Sequence, residues 1–152
     1  MRQERDLHPQ IEARVRESFA RQNAMATIGA KLGNVRAGEV EIVIPFDPRF
    51  TQQHGFLHAG ITAMIVDTAC GFAALSLMPP DAAVLTTEFK LNLLAPGQGQ
   101  RFLARGRVVR PGKKLMVCLG EVFAETDGMP AKQTALMTAS MMVIDGATGL
   151  SG

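Results

Sequence analysis

Residues 52–80 read QQHGFLHAGITAMIVDTACGFAALSLMPP, and this stretch decides the fold. It opens as a polar loop with two histidines, His54 and His58, and two glycines, Gly55 and Gly60. From Ile61 to Met78 it is apolar apart from one charge, Asp67. A helix-length run that is apolar on nearly every side belongs inside a core or inside a membrane. The run carries a charge, has Gly and Pro at its edges and is the sole such segment, so a buried core helix is expected rather than a span. A lone carboxylate in such a helix is expensive unless it is partnered or used. Asp67 is therefore the first functional clue.

The 152 residues suffice for one domain with one core, spanning 1–152. A domain of this size buries about 68–70% of its unfolded surface and needs no covalent staples. Hydrophobic residues make up 47% of the chain and the formal net charge is +2, which argues against disorder and against a strongly charged partner. Trp and Tyr are absent, so a base-stacking surface is poorly supported and no nucleic-acid partner is expected. Cys70 and Cys118 sit in apolar runs and read as reduced core residues, which suits a cytoplasmic protein. Neither lies near a second ligand at metal spacing, so neither metal nor cofactor is expected. The opening MRQERDLHPQ has no apolar h-region and gives no signal-peptide pattern.

Upstream of the central run, Pro9 suits a first helical turn, and Leu7, Ile11, Val15 and Phe19 recur every four positions. This predicts an amphipathic N-terminal surface helix within 1–25. Residues 26–35 and 39–46 read as strands around a tight turn at Arg36, Ala37 and Gly38. Downstream of Pro79 and Pro80 the period becomes two. Residues 83–94 form a strand with Leu85, Thr87, Phe89, Leu91 and Leu93 on one face and Thr86, Glu88, Lys90 and Asn92 on the other. Residues 101–110, 115–125 and 131–144 are further strands, separated by Pro-Gly and Asp-Gly turns. Residues 146–152 read as a flexible tail.

Short turns between successive strands make an antiparallel sheet. One all-round apolar helix is buried only if that sheet curls around it. The expected class is α+β, and this arrangement is the hotdog fold. Long edge strands with two-sided apolar patterning predict pairing with a second copy.

The segment Gln52-x-x-Gly55-x-x-His58-Ala59-Gly60, with Asp67 seven residues beyond Gly60, resembles the signature of the PaaI-type hotdog acyl-CoA thioesterases. Their usual pattern is Asn-x-x-Gly-x-x-His-Gly-Gly, followed by an acidic residue on the helix. The resemblance runs through the Leu94-Ala95-Pro96 and Arg110-Pro111-Gly112-Lys113 turns and covers most of the chain after Gly38. It implies hydrolysis of an acyl-CoA substrate by a homodimer or a homotetramer built as a dimer of dimers. It implies Asp67 as general base or nucleophile and the Ala59 N–H as holder of the thioester carbonyl oxygen, beside Gly60. Gln52 and His58 would support that loop, and Thr86 would orient the water. Gln52 replaces the usual Asn, Ala59 the middle Gly, and Thr86 a common Ser.

Read from the residues alone, Asp67 is either catalytic or a buried carboxylate that caps backbone or pairs across a dimer. Desolvation would raise its pKa and make it a better base near neutral pH. His58 lies nine positions earlier, roughly 13 Å along a helix, so one site using both must combine two subunits. A basic run from Arg101 to Lys114 is either a solvated strand face or a cradle for the coenzyme A phosphates, with Arg110, Lys113 and Lys114 clustered at one turn. His54 has no assigned role. No Gly-x-Ser-x-Gly elbow and no phosphate-binding glycine loop occurs. Two rivals remain on the same fold: a non-catalytic acyl-CoA binder or sensor, and an enoyl-thioester hydratase or dehydratase. The acyl group is not specified by the sequence.

Overall fold

The computed structural model describes residues 7–146 and 149–150. The N-terminal residues 1–6, and 147–148 and 151–152 of the expected tail, lie outside the described residues. The elements run α1 (Pro9–Ala20), α2 (Asn23–Thr27), β1 (Lys31–Arg36), β2 (Glu39–Pro45), a 3-10 turn (Pro48–Phe50), α3 (Ala59–Leu75), β3 (Ala83–Leu93), β4 (Arg101–Arg110), β5 (Leu115–Glu125) and β6 (Lys132–Ile144). The six strands form one antiparallel sheet in the order β1-β2-β4-β5-β6-β3. The sheet wraps α3, as the arrangement of elements predicts, and this is the hotdog fold.

Two boundaries differ from the sequence reading. The N-terminal helix ends at Ala20, and a second short helix runs to Thr27, where a strand was expected from residue 26. Leu32 and Val35 still pair with Ile42 and Val40 as a hairpin, and Gly38 turns it at φ +76°. The chain elbows at Arg21 and Gln22. Arg21 N–H donates to Ser18 O and Gln22 N–H to Phe19 O, bonds that tighten the last turn of α1.

The central helix is not buried on all sides. Ile65, Val66, Ala69, Cys70, Ala73 and Ala74 face the sheet and are fully covered. A stripe through Ala63, Met64, Asp67, Thr68 and Gly71 is only half-buried, and these positions recur at helical spacing. Asp67 therefore sits beside the core, not in it.

What lets α3 lie so close to the sheet is a pair of glycines. Gly106 of β4 and Gly120 of β5 are register partners. A Cβ on Gly106 would sit 2.3 Å from Ala69 C and Cys70 N, and one on Gly120 would sit 2.4 Å from Val66 Cγ2. No side chain fits between strand and helix there. The far end of α3 is held by Ser76, whose hydroxyl donates to Ala73 O at 2.7 Å and accepts from Gly38 N–H at 2.8 Å. The Arg14 guanidinium of α1 reaches across to the carbonyls of Met78, Pro79 and Ala82.

One face assignment on β3 is overturned. A bulge between Thr86 and Glu88 inserts one extra residue against β6. Thr86 pairs with buried Met141, whereas Leu85 pairs with exposed Met142; beyond the bulge, Phe89, Leu91 and Leu93 pair with buried Ala139, Met137 and Ala135. Thr86 thus shares the helix-facing side with Phe89, Leu91 and Leu93, and Leu85 points to the convex side.

The Gly106–α3 contact makes a sharp stability prediction. Gly106→Ala places a methyl against helix backbone that cannot rotate away, and should destabilise the fold by about 3 kcal/mol. Gly120→Ala meets a side-chain tip and should cost less. Chemical denaturation at fixed protein concentration checks the ranking.

Candidate active site

The helix start is built by a loop stitched to its surroundings. Gln52 N–H donates to Phe56 O and Gly55 N–H to Gln52 O, and Gly55 takes φ +81°. The Gln52 side-chain oxygen accepts from the His54 N–H, so Gln52 braces this loop. Leu57 N–H donates to Gly97 O and His58 N–H to Phe50 O, both at 2.9 Å. His58 is the N-cap of α3: its Nδ1 accepts from Gly60 N–H at 2.8 Å, and its carbonyl accepts from Ile61 and Thr62. A ring nitrogen that accepts carries no proton, so neutral His58 holds its proton on Nε2.

These bonds single out one donor. The first N–H groups of a helix lack intrahelical partners. Those of Gly60, Ile61 and Thr62 are taken by His58, while the Ala59 N–H has no partner among the described residues. Ala59 and Gln52 line a cavity of about 450 Å³ with Phe56, Thr62, Leu93 and Leu94.

Asp67 lies elsewhere. Its Oδ1 accepts from Thr86 Oγ1 at 2.8 Å. It lines a separate cavity of about 180 Å³ with Ser18, Gln22, Gly71, Phe72 and Thr86. Burial pushes the Asp67 carboxyl above the usual carboxylate range, and the Thr86 hydrogen bond pulls it partly back. Burial also raises both thiols, Cys118 to about 12, so neither is a thiolate nucleophile near neutral pH.

The expected site residues therefore fall into two groups on one chain. Gln52, His58, Ala59 and Gly60 gather at the start of α3, and Asp67 pairs with Thr86 two turns along. Ala59 and Asp67 are eight residues apart, roughly 12 Å of helix. Arg110, Lys113 and Lys114 are exposed at the β4–β5 turn and line neither cavity. Two other members of the basic run are engaged by acids from β2, β5 and the β5–β6 turn. Arg101 is bonded to Glu125 and Asp127, and Arg105 to Glu41. Sequence reading missed Ser18, Gln22 and Gly71 at the Asp67 cavity. The first two carry no local signal, because Ser18 arrives through the packing of α1 on α3 and Gln22 through the elbow that follows α1. Among the described residues no His, Cys, Asp or Glu cluster is placed to hold a metal ion, and no helix is long and apolar enough to cross a membrane.

A curled antiparallel sheet around one helix is the hotdog fold, and this chain adds a capped helix start and a carboxylate on the helix flank. The profile of the thioesterase superfamily matches residues 54–131. A thioesterase family protein from Silicibacter pomeroyi is 49% identical, with a TM-score of 0.87 over 90% of this chain and 99% of that one. The PaaI protein of the E. coli phenylacetic acid degradation operon superposes with a TM-score of 0.83 at 18% identity, covering 93% of this chain and 98% of that one. The 1,4-dihydroxy-2-naphthoyl-CoA hydrolase of Listeria monocytogenes is 26% identical over 66% of this chain and 82% of its own. The chain belongs to the thioesterase superfamily, has the hotdog fold, and is a thioester hydrolase.

The Thr86 bond gives a signed pH prediction. Its donation favours ionised Asp67, so Thr86→Val should raise the Asp67 pKa further. If ionised Asp67 is the reactive form, the acid limb of the kcat/KM profile moves to higher pH in that variant. An unmoved limb would detach Asp67 from the titration.

Proposed function

We propose that the protein hydrolyses acyl-CoA thioesters at a site completed by a second copy of the chain. The observation that carries this reading is the division of the site residues between two cavities on one subunit. In a dimer, Ala59 of one subunit and Asp67 of its partner face one thioester. Asp67 acts as general base. It takes a proton from water, and the water oxygen bonds to the thioester carbon. The carbonyl electrons move onto oxygen, where the Ala59 N–H and the positive end of the helix dipole stabilise them. Collapse breaks the C–S bond, and the thiolate of coenzyme A takes the proton from Asp67. Thr86 fixes one carboxylate oxygen and leaves the other for water. The raised Asp67 pKa brings the base closer to operating pH.

The exposed surfaces support assembly. β3 is an eleven-residue edge strand, and Phe89 and Leu93 on its helix-facing side are about half exposed in the single chain. On the convex side, Leu85, Met142 and Leu115 form one cross-strand row, with Val117 beside them, and all four are exposed. The first surface suits a dimer contact and the second a pairing of dimers. Arg110, Lys113 and Lys114 at the β4–β5 turn are the cations proposed to meet the phosphates of coenzyme A. Two buried free thiols suit a reducing, cytoplasmic setting. The similarity to the Listeria CoA hydrolase favours hydrolysis over the binder and hydratase readings.

Three variants test the mechanism. Asp67→Asn keeps an oxygen for Thr86 and removes the base, and should lower kcat by about 10²- to 10⁴-fold. A carboxyl whose folded pKa is raised loses stability for the fold as pH rises through that pKa. Asp67→Asn should therefore melt no lower than wild type at pH 8, and higher if the charge is the dominant strain. Ala59 is the first residue of α3, and His58 before it has φ −62° and ψ 136°, a conformation that precedes proline readily. Ala59→Pro thus deletes the N–H alone and should cost about 10²- to 10³-fold in kcat with the fold intact. Equal mixing of these two chains, with subunit exchange, should restore about a quarter of wild-type activity, one working site in each mixed dimer. No recovery would place both groups in one subunit's site. A single turnover in ¹⁸O water tests for direct attack: unlabelled acid with labelled Asp67 means an anhydride opened at the Asp67 carbon, whereas general-base attack gives labelled acid and unlabelled Asp67, and trapping of an acyl-Asp67 adduct separates this from an anhydride opened at the acyl carbon.

A further inference from the structure

Resting on the thioesterase reading, we propose that the elbow between α1 and α2 selects the acyl group. Ser18 and Gln22 bind a hydroxyl or similar hydrogen-bonding substituent on a compact acyl chain, and Gly71 keeps the space that chain occupies.

Three observations carry this. The first is size. The Asp67 cavity measures about 180 Å³, close to the ~150 Å³ that admits one benzene ring. The coenzyme A arm, long and ending in a nucleotide, does not fit there. A thioester carbon within reach of Asp67 therefore puts its acyl side in this cavity.

The second is unspent hydrogen-bonding capacity. Ser18 and Gln22 line the cavity half-buried, and their side chains make no hydrogen bond among the described residues. Gln22 holds the N-cap position of α2 but makes no side-chain cap bond. A cap position favours Ser, Thr, Asp or Asn, whose short side chains reach back to the helix. Half-buried polar groups without partners lose affinity for apolar ligands and reward a ligand that pairs with them. The elbow is also held in place. Phe19 packs edge-to-face on Phe72 with ring centres 5.9 Å apart, and Arg14 bonds the 78–82 segment. Its polar groups are thus preorganised for binding.

The third is Gly71. Glycine inside a helix is less favourable than alanine. At Gly106 and Gly120, close packing explains the glycine. At Gly71 it does not, since a Cβ there would meet nothing within 4 Å. The helix gives up stability for open space, and that space belongs to the cavity beside Asp67.

The test compares acetyl-, butyryl-, 3-hydroxybutyryl- and benzoyl-coenzyme A on wild type, Gln22→Ala, Ser18→Ala/Gln22→Ala and Gly71→Ala, with melting curves for each. Wild type should prefer 3-hydroxybutyryl over butyryl in kcat/KM. Gln22→Ala should shrink that preference about 5- to 10-fold, the effect of one neutral hydrogen bond, and the double variant should erase it. Gly71→Ala should melt no lower than wild type, yet lose at least about tenfold on benzoyl relative to acetyl. An unchanged hydroxyl preference in the double variant, or an unchanged acyl profile in Gly71→Ala, overturns the inference while leaving hydrolysis by Asp67 standing. Wild type that releases thiol from none of the four but does so from palmitoyl-coenzyme A overturns this inference and leaves the acyl-CoA hydrolysis reading standing; release from none of the five sinks that reading, and this inference with it.

Discussion

The contact on which the structure depends is that between α3 and the bare backbone of Gly106 and Gly120. Side chains normally separate a helix from a sheet, but here the missing Cβ atoms let Val66, Ala69 and Cys70 press directly onto β4 and β5. That contact fixes the roll of the helix about its axis. Successive residues turn by about 100°, so seating Val66 on the sheet swings Asp67 toward the flank. There it is half-buried. Its carboxyl is desolvated enough to be raised in pKa, and open enough to meet a cavity. A helix standing off the sheet by one side-chain layer could roll, and Asp67 would lose its bond to Thr86.

The bulge in β3 completes that placement. Strict alternation would put Thr86 on the opposite side from Phe89, Leu91 and Leu93. One extra residue between Thr86 and Glu88 turns Thr86 toward α3 without turning those apolar residues outward. A bulge often re-aims a single side chain at a site, and this one points a hydroxyl at a carboxylate. The polar contact and the apolar strand face coexist only because the register slips between them.

How much of this was legible follows from what each feature depends on. The central helix, the short-turn strand order and the polar loop before the helix show in local pattern, and the sheet formed around the helix as that pattern predicts. The lone charge at Asp67 marked a special position from hydropathy alone. The bulge was not legible, since alternation assumes an unbroken register. The elbow at Arg21 and Gln22 was hidden because no Gly or Pro marks the break between Ala20 and Asn23. The basic run looked unpaired because Glu41 and Glu125, its acids, come from positions distant in sequence or beyond the run. Gly106 and Gly120 did carry a signal: a glycine inside a strand marks close backbone approach.

The exceptions to helix and strand preference in this chain sort by face. On the sheet side they serve packing: two strand glycines admit the helix. On the flank they serve no packing purpose within the chain. Asp67 accepts a desolvation penalty that an alanine would avoid, and Gly71 gives up helix propensity where a methyl would meet nothing. Both lie on one stripe, four residues apart, over one cavity. A sequence optimised only for this fold would remove both. Departures from local rules are expected where function is at stake, and departures on a shared face point to a shared task. The same logic separates the two glycine classes by a single measurement, whether an added methyl breaks the fold or only alters what the protein binds.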